Sequence, residues 1–506
     1  MRLFTSAIVL VMLLSLFACG AGDSSDTGTS GETSGEYTSS LELTTSEYAE
    51  LTALERYAVI NKLMSALYKG TAASDFFDLS SGLEPLMINS AAMDIGEVKS
   101  ALQKPMDDKN AVLDLIDDKY YFDERARPLQ YPLAMLYEFP LSRDYFAVWM
   151  AYRLTNSILF SPALELETCN YTDIQRVFQR LFSMIENGDS IRDVVYAHMI
   201  SQENWRRFRS PEDNTREMME IFLGRFKDEE VPLASLACKN WSLTDDSDDY
   251  QLVIGYDENT QPQAILDTTV TTCTDFYMAI ANHADLIPRI ASVLVEDFLS
   301  GASDDEKQQV VDVILSENPH VFEDIFIPII FSREFLLDTE RPAQFEERFF
   351  NIAHRISWWA KAKFFKEINP AWSGSSYPSL KNMKQAAATY KLGRPAEVPL
   401  DTLSFSFFHK AIREKLLLDI RKDVFEENDG GWQDEFIQVD LSNDDFIKYL
   451  FISIISRLPT DIELTTLGQI FEDRGYTTQD RALYQALIVM DYLSRLSETY
   501  YLNALD

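Results

Sequence analysis

Apolar side chains recur at steps of three and four along most of this chain, and that spacing most limits how it can fold. Leu54, Tyr57, Ala58, Ile60, Leu63, Met64 and Leu67 form one such stripe, with Gly70 placed where a helix would stop. Phe276, Ile280, Ile287, Ile290, Val293, Leu294 and Phe298 form another, with a break expected at Pro288. Phe446, Leu450, Ile454 and Ile455 lead into Thr460-Asp461-Ile462-Glu463, which spells a capping box, and a last long helix is expected from Thr478 to Tyr500. Strand signals are few. Gln251-Leu252-Val253-Ile254 and Gln263-Ala264-Ile265-Leu266 are expected to pair as one hairpin. The spacing therefore predicts an all-α protein of irregular helical bundles with at most one small β-hairpin.

The N-terminus reads as an export signal. Arg2 precedes an apolar run from Leu3 to Phe17, too short for a membrane span, and Leu16-Phe17-Ala18-Cys19 resembles the bacterial lipobox, with Phe17 bulky for its place. Residues 1–19 are thus expected to be a lipoprotein signal whose Cys19 is lipidated; plain cleavage near Ala18 is the bland alternative. Residues 20–45 begin as a Gly, Ser, Thr and acidic tract that buries nothing and reads as a flexible linker. Position 20 is Gly rather than Asp, which by resemblance to enterobacterial lipoproteins implies the outer membrane of a bacterial cell envelope rather than retention at the inner one. The folded part is divided, by loop-rich stretches, into helical regions 46–165, 166–400 and 401–506.

With 45 basic against 81 acidic residues the formal charge is −36, which argues against nucleic acid and anionic lipid headgroups as partners. Membrane attachment then rests on the lipid alone. Beyond Cys19 the cysteines are Cys169, Cys238 and Cys273, so one bridge at most forms. A Cys238–Cys273 bridge would be worth about 4 kcal/mol through loop closure; buried thiols are the competing reading.

Chemistry motifs are scarce. The histidines (His198, His283, His320, His354 and His409) show no HExxH or HxH pair, and Asp245-Asp246-Ser247-Asp248-Asp249 lacks the spacing of a calcium loop and reads as solvated loop. No metal or cofactor is expected. No GxSxG, SxxK or GxxxxGK[ST] occurs, and CxxC is missing too. Trp358-Trp359 and Trp372 are conceivable sugar-stacking residues, but the first two continue a helical stripe for which core packing is the default.

The stretch SPEDNTREMMEIF, residues 210–222, offers two helix starts. Ser210-Pro211 is one, and Asn214 answered by Glu217 is the other. Arg216 and Glu220 stand four apart and are placed to pair on the helix surface. As local signals these are caps.

Further landmarks follow in order. After residues 212–222 come Leu236-Ala237-Cys238-Lys239-Asn240-Trp241, the loop Tyr256-Asp257-Glu258-Asn259, and the segment 278–299 with His283. Ile329-Ile330-Phe331-Ser332-Arg333-Glu334-Phe335 and Leu392-Gly393-Arg394-Pro395 complete the series. In that order they resemble a bacterial exported family known as domain of unknown function 1800, across less than half of the chain. The family's loop histidine is Tyr256 here, its lysine position is not basic, and a tryptophan after its proline pair is missing. The resemblance implies an exported helical protein with a polar cluster drawn from Asn214, Arg216, Glu217, Glu220, Trp241, Tyr256, Asp257 and His283. It also implies, by association, an exported partner of a second uncharacterised family that resembles the sulfatase and phosphatase superfamily.

Three functions fit. The first is a lipid-anchored envelope protein that holds or matures an exported partner. The second is a divergent hydrolase in which Asn214, Arg216, Glu217 and the Tyr256-Asp257 loop converge on one cleft. The third is a glycan-binding outer-membrane lipoprotein.

Overall fold

Much of the chain's acidity sits at helix starts. A computed structural model describes residues 40–120, 127–155, 157–159, 171–244, 250–356, 390–391, 394–395, 412–413, 416, 441–474 and 481–505. Within them, Thr44 with Glu47, Thr52 with Glu55, Asp94 with Glu97, Thr272 with Asp275 and Ser303 with Glu306 form reciprocal capping boxes. The box expected at Thr460 and Glu463 is present, with bonds of 2.7 and 3.3 Å. In each, one side chain accepts an orphan N–H of the first turn and the carboxylate three residues on returns the bond. Hydrogen bonds from Thr44, then from Arg333, hold the Glu47 carboxyl down at about 2.

Basic residues serve the opposite ends. Lys69 donates to the carbonyls of Leu136 and Tyr137, both at 2.8 Å, in the last turn of helix Arg127–Glu138. Arg192 reaches Ala281 O at 2.6 Å and His283 O at 3.1 Å, where helix Cys273–Asn282 ends. Arg289 Nε donates to Ile221 O at 3.2 Å near the end of helix Pro211–Leu223, and Arg341 Nε to Phe298 O at 3.0 Å, which closes helix Leu286–Phe298. Arg348 and Arg355 share Ile454 O, at 2.7 and 2.9 Å, in the last turn of helix Asn443–Ile455. The last carbonyls of a helix lack intrahelical donors and carry partial negative charge, so a cation from a neighbouring helix satisfies both needs and fixes how the two helices meet.

The fold is mostly helical with short two-stranded antiparallel sheets, as the spacing predicts. Its details depart from expectation in four places. Helix Ala53–Ala66 ends before Gly70: Tyr68 takes the left-handed turn, with φ 54°, while Gly70 is required because a Cβ there would lie 2.3 Å from the carbonyl oxygen of Asn351. The break in the second stripe falls at residues 283–285; Pro288 stands in the first turn of Leu286–Phe298, where its missing N–H costs no bond. The last helix ends at Leu493 rather than Tyr500, because Thr499 Oγ1 and Tyr500 Oη turn back on it, donating to Leu493 O at 2.6 Å and Ser494 O at 2.7 Å; its expected start at Thr478 lies outside the described residues. The two predicted strands do not pair with each other. Leu252–Ile254 pairs with Trp241–Leu243, and Gln263–Ile265 with Thr268–Val270 through a tight turn in which Leu266 and Asp267 both have positive φ.

The three expected regions share one core. Asn61 donates to Ser456, Asn351 to Asn61, and Arg341–Pro342 pairs with Tyr501–Leu502, so Ser40–Asp506 makes one unit. Cys19 with the segment 1–39, Asp245 to Asp249, Trp358, Trp359, Trp372 and His409 lie outside the described residues. No helix of the described residues is long and apolar enough to cross a membrane.

Candidate functional site

Of the two helix starts in residues 210–222, the first is used. Ser210 Oγ accepts the Asp213 N–H at 3.1 Å, Pro211 opens the helix, and Gly224 ends it with φ 73°. Asn214 is therefore no cap. It lies inside helix Pro211–Leu223, fully buried, and its Oδ1 accepts the Tyr277 hydroxyl proton at 2.7 Å.

Around that bond lies an aromatic box. Trp241 stands 5.5 Å from Trp205 and 5.9 Å from Tyr277, centroid to centroid. Burial pushes the Tyr277 phenol well above its ordinary range, partly offset by the Trp205 N–H. The hydroxyl is thus a neutral donor, suited to holding Asn214 and unsuited to giving up its proton. The disulfide Cys238–Cys273 closes the same region, joining the end of helix Val231–Ala237 to the start of Cys273–Asn282.

Glu217, three residues on from Asn214 in the same helix, is buried, with one oxygen taking the Arg216 guanidinium at 2.9 Å and the other, Oε2, without a partner among the described residues. Burial raises its carboxyl pKa, and the Arg216 bond opposes that shift. Arg216 also reaches Asp213 at 3.3 Å; Glu220, the partner expected from the spacing, acts on it through its charge.

The other motif residues go elsewhere. Tyr256 is fully exposed, and Asp257 accepts Lys239 Nζ at 2.9 Å in the open. His283 caps the end of Cys273–Asn282, its Nδ1 accepting the Asp285 N–H at 3.1 Å. The expected cluster therefore divides: Asn214, Trp241 and Glu217 in or against the core, Arg216, Tyr256 and Asp257 at the surface, Glu220 half-buried on helix Pro211–Leu223, and His283 at a helix end. The cleft that the hydrolase reading needs, with Tyr256 facing Asn214 and Glu217, is not formed. Among the described residues no group of three His, Cys, Asp or Glu side chains is arranged to hold a metal ion.

What the surface part presents is a pinned hairpin. Gly255 N–H donates to Asn240 O at 2.7 Å, and Asn240 Nδ2 returns a bond to Gly255 O at 3.1 Å. Beyond this double lock Val253, Ile254 and Tyr256 are exposed. Sequence reasoning took residues 251–254 only as half of a sheet. The signal available for this role was Trp241, whose burial anchors the first strand.

Comparison of the chain with protein-family models, with curated proteins and with solved structures gave no match.

Proposed function

We propose that the chain is an exported, lipid-anchored envelope protein that binds an exported protein partner through the pinned hairpin, the paired strands Trp241–Leu243 and Leu252–Ile254 with the adjoining Tyr256. The observation that carries this reading is the covalent and hydrogen-bonded seating of that hairpin. Disulfides persist in oxidising compartments, so the Cys238–Cys273 bridge supports export, as does the signal and lipobox spelling of residues 1–19. The same bridge and the Asn240–Gly255 lock hold Ile254 and Tyr256 out from a rigid base, and apolar side chains fixed in place lose little entropy on binding. Two residues that the family resemblance singles out support this platform rather than opening to solvent: Trp241 roots its first strand in the core against Tyr277, and Asn214 holds Tyr277 in place.

The test has two arms. Labelled palmitate is expected to enter the wild-type chain in a bacterial host and not a Cys19→Ala variant. A photo-crosslinking residue at position 256 is expected to capture one exported protein, and Ile254→Asp to abolish that adduct while leaving the melting temperature unchanged. Equal capture with and without Ile254→Asp would discard the hairpin as the binding surface.

A further inference from the structure

One guanidinium in the core holds donors that no group of the described residues uses. Helix Phe345–Arg355 places Arg348, Asn351 and Arg355 on one face, three and four residues apart. Arg348 is well served: besides Ile454 O, its Nε donates to Thr499 O and its Nη2 to Glu498 O at 3.4 Å. Arg355 donates Nη2 to the Ile454 carbonyl and is also bonded to the Tyr57 hydroxyl, while its buried Nε and Nη1 have no acceptor among the described residues. The Tyr57 hydroxyl proton already goes to Thr71 O at 3.0 Å. Neither arginine forms an ion pair with a carboxylate of the described residues.

This arrangement is costly as it stands. Arginine keeps its proton at any working pH, and burial of a charge without a counter-ion costs several kcal/mol. Two such charges meet here on one carbonyl oxygen, in a chain that is otherwise strongly acidic. Polar groups that suit an anion border them. Ser453, next to the shared carbonyl, has a fully buried hydroxyl whose neighbour is the Tyr449 hydroxyl. The Tyr449 hydroxyl lies against Ser453 and against Ser74, which is exposed and brings the group close to the surface.

We propose that Arg355, backed by Arg348 and Ser453, binds a small oxyanion (a carboxylate, sulfate or phosphate) between helices Phe345–Arg355 and Asn443–Ile455. The anion accepts the Nε and Nη1 protons, offsets both cations and ties the central helix to the C-terminal one. This site is separate from the hairpin and stands whether or not the hairpin binds a partner.

Purified full-length protein, dialysed into chloride buffer, is titrated with sulfate, phosphate or formate at constant ionic strength while its melting temperature is followed. Ion chromatography of the supernatant after denaturation reports any anion carried through dialysis. The expected result is a saturable rise of several degrees, or a stoichiometric carried anion, in the wild type. Arg355→Met is expected to lose both, and Arg355→Lys, which keeps the charge with fewer directed donors and so guards against a folding failure, to shift the response to at least tenfold higher anion. Response to sulfate and phosphate alone marks an inorganic oxyanion; response to formate alone marks a carboxylate. A wild type that neither carries nor responds to any of the three, or variants that respond as the wild type does, would overturn the proposal.

Discussion

Arg341 grips Glu347 with both ends of its guanidinium, Nη1 to Oε2 at 2.8 Å and Nη2 to Oε1 at 2.7 Å. Glu347 also takes Arg153 Nη1 at 3.1 Å and the Gln344 N–H at 2.9 Å, and Arg153 reaches Asp297 at 2.7 Å. All of this is buried. The network joins helices Arg143–Thr155, Leu286–Phe298 and Phe345–Arg355, so one carboxylate holds three helices in register.

Glu347→Gln is expected to destabilise the protein by about 3–5 kcal/mol in urea unfolding, because it leaves Arg341 buried without its anion and Arg153 with Asp297 alone. Burial opposes the Glu347 charge, and Arg341 and Arg153 outweigh it, so the folded pKa is lowered. Its contribution is therefore present above the unfolded carboxyl value and fades as pH falls through the folded one. A loss under 1 kcal/mol at pH 7 would mean that the arginines find other acceptors.

The Tyr277–Asn214 bond makes a second prediction. Tyr277→Phe removes the donor and leaves a fully buried amide with neither end satisfied, since Asn214 Nδ2 already has no partner. The expected cost is about 1–3 kcal/mol. Adding Asn214→Leu to Tyr277→Phe is expected to recover most of it, because both polar groups are then gone. A double-mutant cycle by thermal melting checks the coupling; independent, additive losses would show that Asn214 serves something other than Tyr277.

Reduction of the Cys238–Cys273 bridge, 35 residues apart in sequence, releases a loop under the hairpin. Chain entropy puts the stabilisation at about 4 kcal/mol. Cys273→Ser is expected to lower stability by that order, and thiol alkylation of the unreduced, denatured wild type is expected to leave both residues unmodified. Labelling of either one without reductant would show the bridge is not made.

Helix starts were legible in the sequence because a capping box is local: Thr460 and Glu463 find each other whatever the rest of the chain does. Helix ends were not. Arg348 stands 106 residues from the Ile454 carbonyl it holds, and nothing near either residue signals the partnership. The hairpins failed for a related reason. Leu266 and Asp267 carry no Gly or Asn to mark a tight turn, so the spacing pairs 263–266 with 251–254 instead of with the adjoining Thr268–Val270. At Asn214 two local rules gave rival starts, and the choice was made by Tyr277 on another helix, which needs the amide inside. The candidate site was legible as a set of positions, while their division between core, surface and helix end follows from long-range packing.

Lys69 is the clearest case of a charge set against its surroundings. Its ammonium is buried between the end of helix Arg127–Glu138 and the face of Tyr145, 4.6 Å from the ring centroid. Burial pulls its pKa down to about 7, with Glu138 opposing. An unfolded lysine titrates near about 10.4, so between those values the unfolded chain binds more protons than the folded one, and stability rises with pH. From pH 7 to 9 the gain from this residue alone is about 2 kcal/mol. Lys69→Met keeps the stem's apolar packing and removes the titration, at the cost of two helix-end hydrogen bonds. The variant is expected to be less stable than wild type at pH 9, with the difference shrinking towards pH 7, as read from urea midpoints at each pH. A wild type and variant whose difference stays constant across that range would show that Lys69 stays charged in the folded state.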